Sequence, residues 1–226
     1  MDNANKFSEQ ESFRLITEMI TQAKGGYYHD SGISPILWGT VVSVCGFMTF
    51  ITNYFEWGIG FDWWLLTLAA LIPQVLITRN EKRQKMVKTH VGRALDMVWL
   101  LYGISIFAVI FYMHTAPASA MRVLSESGIG LLQKNLETGE IKPFALQMPP
   151  SPGSLLLLMF GFPTLVTGYV LRCRPMVYGA IATYLFFIIS NFTPALVDHL
   201  LMGFAGLVNW LIPGVILRKK YLASRK

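Results

Sequence analysis

Six long stretches of this chain contain no Asp, Glu, Lys or Arg: residues 34–55, 63–78, 97–113, 153–171, 176–192 and 199–217. Runs that are apolar all round have no solvent-facing side, so they belong in lipid or in the centre of a large protein. A helix rises about 1.5 Å per residue and a bilayer's hydrocarbon core is about 30 Å thick, so runs of this length can cross it. Within lipid each backbone N–H and C=O needs a partner in the protein, which a helix supplies from its own segment. The expectation is an all-α fold, a polytopic bundle of six transmembrane helices. The second run is the shortest, and the aromatic approach through Phe61 extends it to 61–78. A charged fraction of 14% against about 25% in soluble domains agrees with that class.

Charge then orients the spans. The net charge of +6 would suit nucleic acid if the bases formed one surface, but they flank the apolar runs, so no nucleic acid partner is expected. Arg79, Lys82, Arg83, Lys85, Lys88 and Arg93 lie between runs two and three, Arg172 and Arg174 between four and five, and five more follow run six. With Lys6, Arg14 and Lys24 these make 16 of the 19 basic residues on one side, leaving only Arg122, Lys134 and Lys142 opposite. Basic residues stay on the cytoplasmic side, so both termini should be inside. The chain divides into a cytoplasmic segment 1–33, a transmembrane domain 34–217 with a non-cytoplasmic loop 114–152, and a basic tail 218–226. No apolar signal segment precedes the first span, which is therefore expected to direct its own insertion.

Residues 8–24 read as an amphipathic cytoplasmic helix. Ser8 and Glu11 form a capping box, Phe13, Ile16, Met19 and Ile20 recur on one face, and Gly25-Gly26 stops the pattern. Three acids against two bases make it a poor ligand for anionic lipid, so that face points to a protein partner.

Ionisable residues mark substrate paths in membrane proteins, because lipid tolerates them only where function or pairing holds them. These runs offer instead Gln74, Asn209, Thr164 and Thr167, as interhelical contacts or the lining of a polar path. At the outer face Asp198-His199 and His114 could share a metal, but adjacent helical residues diverge by about 100°, so the pair converges only if the helix begins between them. The simpler account has Asp198 capping its own helix and His199 at the interface. An inner set, His29, Asp30, His90 and Asp96, lacks a third imidazole. Two cysteines, Cys45 and Cys173, have neither disulfide-framework nor metal-site spacing. Glycines in runs four and six should let helices approach closely, and Pro73, Pro163 and Pro213 should kink theirs. No nucleotide, hydrolase or CxxC motif occurs, and no cofactor is expected.

The amphipathic start, Ile36-Leu37-Trp38-Gly39 opening span one, Gly161-Phe162-Pro163-Thr164 with Gly168, Arg172-Cys173-Arg174-Pro175, and Trp210-Leu211-Ile212-Pro213-Gly214 resemble a group of small six-span bacterial inner-membrane proteins with no assigned activity. The likeness implies bacterial inner-membrane residence and imports no catalytic residue. The favoured reading is an interaction or regulatory protein whose partners are the bilayer and a cytoplasmic protein at the N-terminal helix, with a second copy of the chain also open as a partner. A permease for a small neutral solute and a metal-dependent membrane enzyme are the alternatives.

Overall fold

A computed structural model describes Phe13, Arg14 and Thr17 together with residues 31–84, 90–144 and 152–223. Those first three are helical, and the rest of the expected 8–24 helix, including Ile16, Met19 and Ile20, lies outside the described residues. The remaining elements in chain order are α1 Ile33–Tyr54, α2 Leu65–Ala69, α3 Leu71–Gln84, α4 His90–Glu126, strands β1 Leu132–Lys134 and β2 Ile141–Pro143, α5 Pro152–Val170, α6 Arg174–Ser190, α7 Ala195–Gly206, a π-helical turn Leu207–Leu211 and α8 Ile212–Ala223. Four helices are long and apolar enough to cross a membrane: Ile33–Tyr54, His90–Glu126, Gly153–Val170 and Ala195–Ala223. Arg174–Ser190 is apolar and shorter, at 17 residues. This is the build of an integral membrane protein.

Proline explains where helices break. Pro73 has no N–H to give the carbonyl of Ala69, and the helix divides at Ala70 into α2 and α3. Pro213 withholds a donor from the carbonyl of Asn209, and the wide turn Leu207–Leu211 stands immediately before it. Pro163 and Pro117 are instead carried inside α5 and α4. Helix α4 therefore does not end near residue 113. It continues through His114 and Pro117 to Glu126, so the first part of the stretch read as the loop 114–152 is the end of α4, followed by β1. Strands β1 and β2 pair antiparallel with Lys134 opposite Ile141 and Leu132 opposite Pro143. Asn135 Oδ1 accepts from the backbone N–H of Glu137 (2.9 Å) and Thr138 (3.2 Å), and Gly139 supplies the positive φ of 71° that closes this turn.

Packing has a centre and two outriggers. Helix α1 lies along α7, the π turn and α8, while α5 and α6 turn back on each other and close over the same line. Small residues let α1 come in: a Cβ at Gly46 would stand 2.5 Å from the backbone N of Gly203 and 2.6 Å from the carbonyl O of His199. Among the described residues α4 has α5 as its one neighbouring element at backbone distance, and α3 has α1 besides its own continuation α2. Among the described residues no backbone approach joins α3 to α4 or α1 to α5.

Candidate functional site

The space between α1 and α5 is filled by side chains. Val42 of α1, Leu157 and Phe160 of α5, Leu201, Met202 and Ala205 of α7, and Trp210 of the π turn form a buried apolar cluster. Trp38, Trp64, Trp99 and Tyr102 pack against it half-buried. Trp210 sits at the middle of the aromatic set, 5.2 Å from the Phe160 ring, 6.3 Å from Trp99 and 6.4 Å from Tyr102. Trp99 and Tyr102 meet edge to face at 5.5 Å, a favoured ring geometry.

Each of the three central indole N–H groups is committed to another helix. Trp38 Nε1 of α1 donates to Gln74 Oε1 of α3 at 3.0 Å, and Gln74 Nε2 donates back to Ser34 Oγ of α1 and to Thr78 Oγ1, both at 3.1 Å. Trp99 Nε1 of α4 donates to Thr167 Oγ1 of α5 at 3.1 Å. Trp210 Nε1 donates to Thr164 Oγ1 at 2.9 Å, and that hydroxyl donates to the Phe160 carbonyl. In apolar surroundings an unpaired donor is expensive, so these bonds fix which helix faces meet. Asn209 follows the same rule on the far side of the π turn: its Nδ2 donates to Thr183 Oγ1 of α6 at 2.8 Å. Its Oδ1 is buried and accepts no hydrogen bond among the described residues.

Gln74, Asn209, Thr164 and Thr167 are thus all found between helices, bonded across them. The sequence reading gives no bonding role to the indole and hydroxyl groups they meet. The available signal was that Trp38, Trp99 and Trp210 fall inside the charge-free runs.

The outer-face trio does not assemble. Helix α7 begins at Ala195, three residues before Asp198, so Asp198 and His199 both lie within it and diverge by about 100°. His114 is exposed on α4, its Nδ1 donating to the Ile110 carbonyl at 2.8 Å. Among the described residues no three His, Cys, Asp or Glu side chains gather as a metal site. Asp198 is 1% exposed and lies in the first turn of its own helix, whose N-cap is Pro194. Its carboxylate stands over the first turn of α5, where a Cβ at Gly153 would lie 2.9 Å from Oδ2. The first turn of a helix presents N–H groups with no intrahelical partner and the positive end of the helix dipole, a suitable seat for an anion. Beside it Ser190 Oγ of α6 donates to Ser154 Oγ of α5 at 2.8 Å.

At the opposite end Ser31 joins three helices. Its hydroxyl donates to Glu81 of α3, and its carbonyl accepts from Arg218 Nη1 of α8 at 3.4 Å. The guanidinium of Arg218 also lies 5.6 Å from the ring centre of Tyr221. Of the expected partner-binding face, Phe13 is described, and it is 74% exposed. Comparison with known proteins finds no matching family model, no matching curated protein and no matching solved structure.

Proposed function

We propose that this chain is a membrane-embedded interaction or regulatory protein of a bacterial inner membrane, crossing it six times with both termini in the cytoplasm. The crossings are α1, α2 with α3, α4, α5, α6, and α7 through α8. The observation that carries the reading is the commitment of the interior polar side chains: Gln74, Thr164, Thr167 and Asn209 are bonded helix to helix. A bundle tied in this way is a scaffold, because a solute path needs polar groups that exchange partners with the passing molecule.

Binding groups are then to be sought at the surfaces. The N-terminal segment places apolar Phe13 in the open, and the 79–93 stretch carries six of the chain's basic residues on the same proposed face. An exposed aromatic beside charge is the composition of a docking surface for a protein partner. Native pull-down from membranes tests this. The full chain should retain a cytoplasmic protein that is lost when residues 1–24 are removed, while the truncated bundle keeps its thermal midpoint in detergent. Identical sets of bound proteins with and without those residues would sink the reading.

A further inference from the structure

Helix α3 meets α1 through polar side chains, and the two sets fall in matching order. Gln74, Thr78 and Glu81 are spaced i, i+4 and i+7, which puts them on one face of α3. Trp38 and Ser34 in the first two turns of α1, and Ser31 just ahead of it, run the other way along the same seam. Gln74 ties Trp38 at 3.0 Å and Ser34 at 3.1 Å, and its amide also donates to Thr78. Seven residues further on, Glu81 accepts from the Ser31 hydroxyl.

The α1 side of the seam is fixed in place. A Cβ at Gly32 would stand 2.6 Å from the Gly214 carbonyl O and 2.7 Å from the Arg218 backbone N, so the chain beside Ser31 is seated directly on α8. Arg218 holds the Ser31 carbonyl as well. The α3 side is built differently. Ala70, where α2 ends, is 4% exposed, whereas Ile72 is 70% exposed, and Leu71, Val75 and Leu76 are exposed with it. At the same point Pro73 leaves the Ala69 carbonyl without its usual donor. Lipid is as apolar as those exposed side chains, so no hydrophobic force presses such a helix onto its neighbour, and packing and hydrogen bonds hold it there. For α3 the hydrogen bonds are those of the seam.

We propose that α3 is a hinged arm that pivots at Ala70 and is latched to α1 by this seam, with Glu81 on Ser31 toward its tip and Gln74 on Ser34 and Trp38 nearer the pivot. Opening the latch swings Arg79, and the basic stretch it begins, away from the bundle. That stretch is the surface proposed above for a protein partner, so the regulatory use of the latch rests on that reading, whereas the motion itself does not.

The test uses the full chain in nanodiscs, with Cys45 and Cys173 replaced by serine, nitroxide labels on Asn80→Cys and Lys219→Cys, and the distance between them read by pulsed electron paramagnetic resonance. The latched arm should give one narrow distance. Gln74→Leu with Glu81→Leu removes both ends of the seam while keeping side-chain bulk, and should add a second, displaced distance with a several-fold larger share of the molecules. Glu81→Gln, whose amide oxygen still accepts from Ser31, should keep the narrow distance. A second label pair off the arm, Tyr178→Cys with Lys219→Cys, should hold its distance in every variant. A narrow native distance in the double leucine variant would overturn the proposal, as would Glu81→Gln opening as fully as that variant. Movement of the Tyr178 pair would also overturn it, because the seam would then be holding the bundle together. Capture of no cytoplasmic protein by the native chain sinks the docking reading alone, and unchanged distances sink the latch alone.

Discussion

Arg172 and Glu56 stand in the left-handed region, at φ of 51° and 52°, where a side chain crowds its own carbonyl. Each sits just past a helix end in the same hydrogen-bonded closure. Cys173 N donates to the Gly168 carbonyl at 2.8 Å and Arg172 N to Tyr169 at 3.2 Å, while Trp57 N donates to Thr52 at 3.0 Å and Glu56 N to Asn53 at 3.4 Å. Helix α4 ends in this way too, with Ile129 N on Leu124 and Gly128 N on Ser125, but there the left-handed residue is a glycine, at φ 75°. Arg172→Gly and Glu56→Gly should therefore each stabilise the protein by about 0.5–1 kcal/mol, the relieved strain less the added freedom of the unfolded chain. Thermal unfolding in detergent checks this, and a lowered midpoint would contradict it. None of this could be read from the sequence around Arg172, because an arginine gives no signal for a positive φ. Gly128 and Gly139 do give one.

For the helices, close approach is decided by what a glycine faces. Gly46 meets the backbone of Gly203 and His199, atoms that cannot swing aside, whereas Gly103 in α4 has nothing within 4 Å of its would-be Cβ. The same substitution should then act with opposite signs. Gly46→Ala forces α1 off α7 and should cost about 1–3 kcal/mol, the usual range for overpacking. Gly103→Ala should be neutral or gain up to about 1 kcal/mol from helix propensity. Denaturant titration of the two variants in one detergent separates them, and equal losses would count against the packing described. The sequence reading expected glycine-mediated contact in runs four and six, and Gly203 and Gly206 do lie close against α1. It gave no weight to Gly39 and Gly46, because small residues on one helix reveal nothing about the helix opposite. Of the prolines expected to kink their helices, Pro73 follows the break at Ala70 and Pro213 follows the π turn, whereas Pro163 stays inside an unbroken α5.

Across the whole molecule, the crossings have lengths that differ widely. Helix α4, with 37 residues, is about 55 Å long against a core of about 30 Å, so a large part of it stands outside the hydrocarbon layer. Helix α6, with 17 residues, is about 26 Å, close to the shortest that can cross. Three proposed crossings separate the hairpin turn at Thr138 from the C-terminus, so the parity of that count depends on α6. With Cys45 and Cys173 replaced by serine, Thr138→Cys should react with a membrane-impermeant maleimide in intact cells. Lys226→Cys should react only after permeabilisation. Labelling of both from the same side would remove α6 from the set of crossings. The charge-free runs alone determined that this is a membrane-type helical chain, and roughly where its helices lie, because lipid excludes charge and demands internally bonded backbone whatever the tertiary arrangement. Only the tertiary structure decided that α4 runs on to Glu126, that Asp198 lies against Gly153 of α5, and that Gln74, Thr164, Thr167 and Asn209 pair with partners on other helices. Those outcomes depend on which polar groups meet between helices, and hydrogen-bond partners separated by 26 to 68 residues leave no periodicity along the chain.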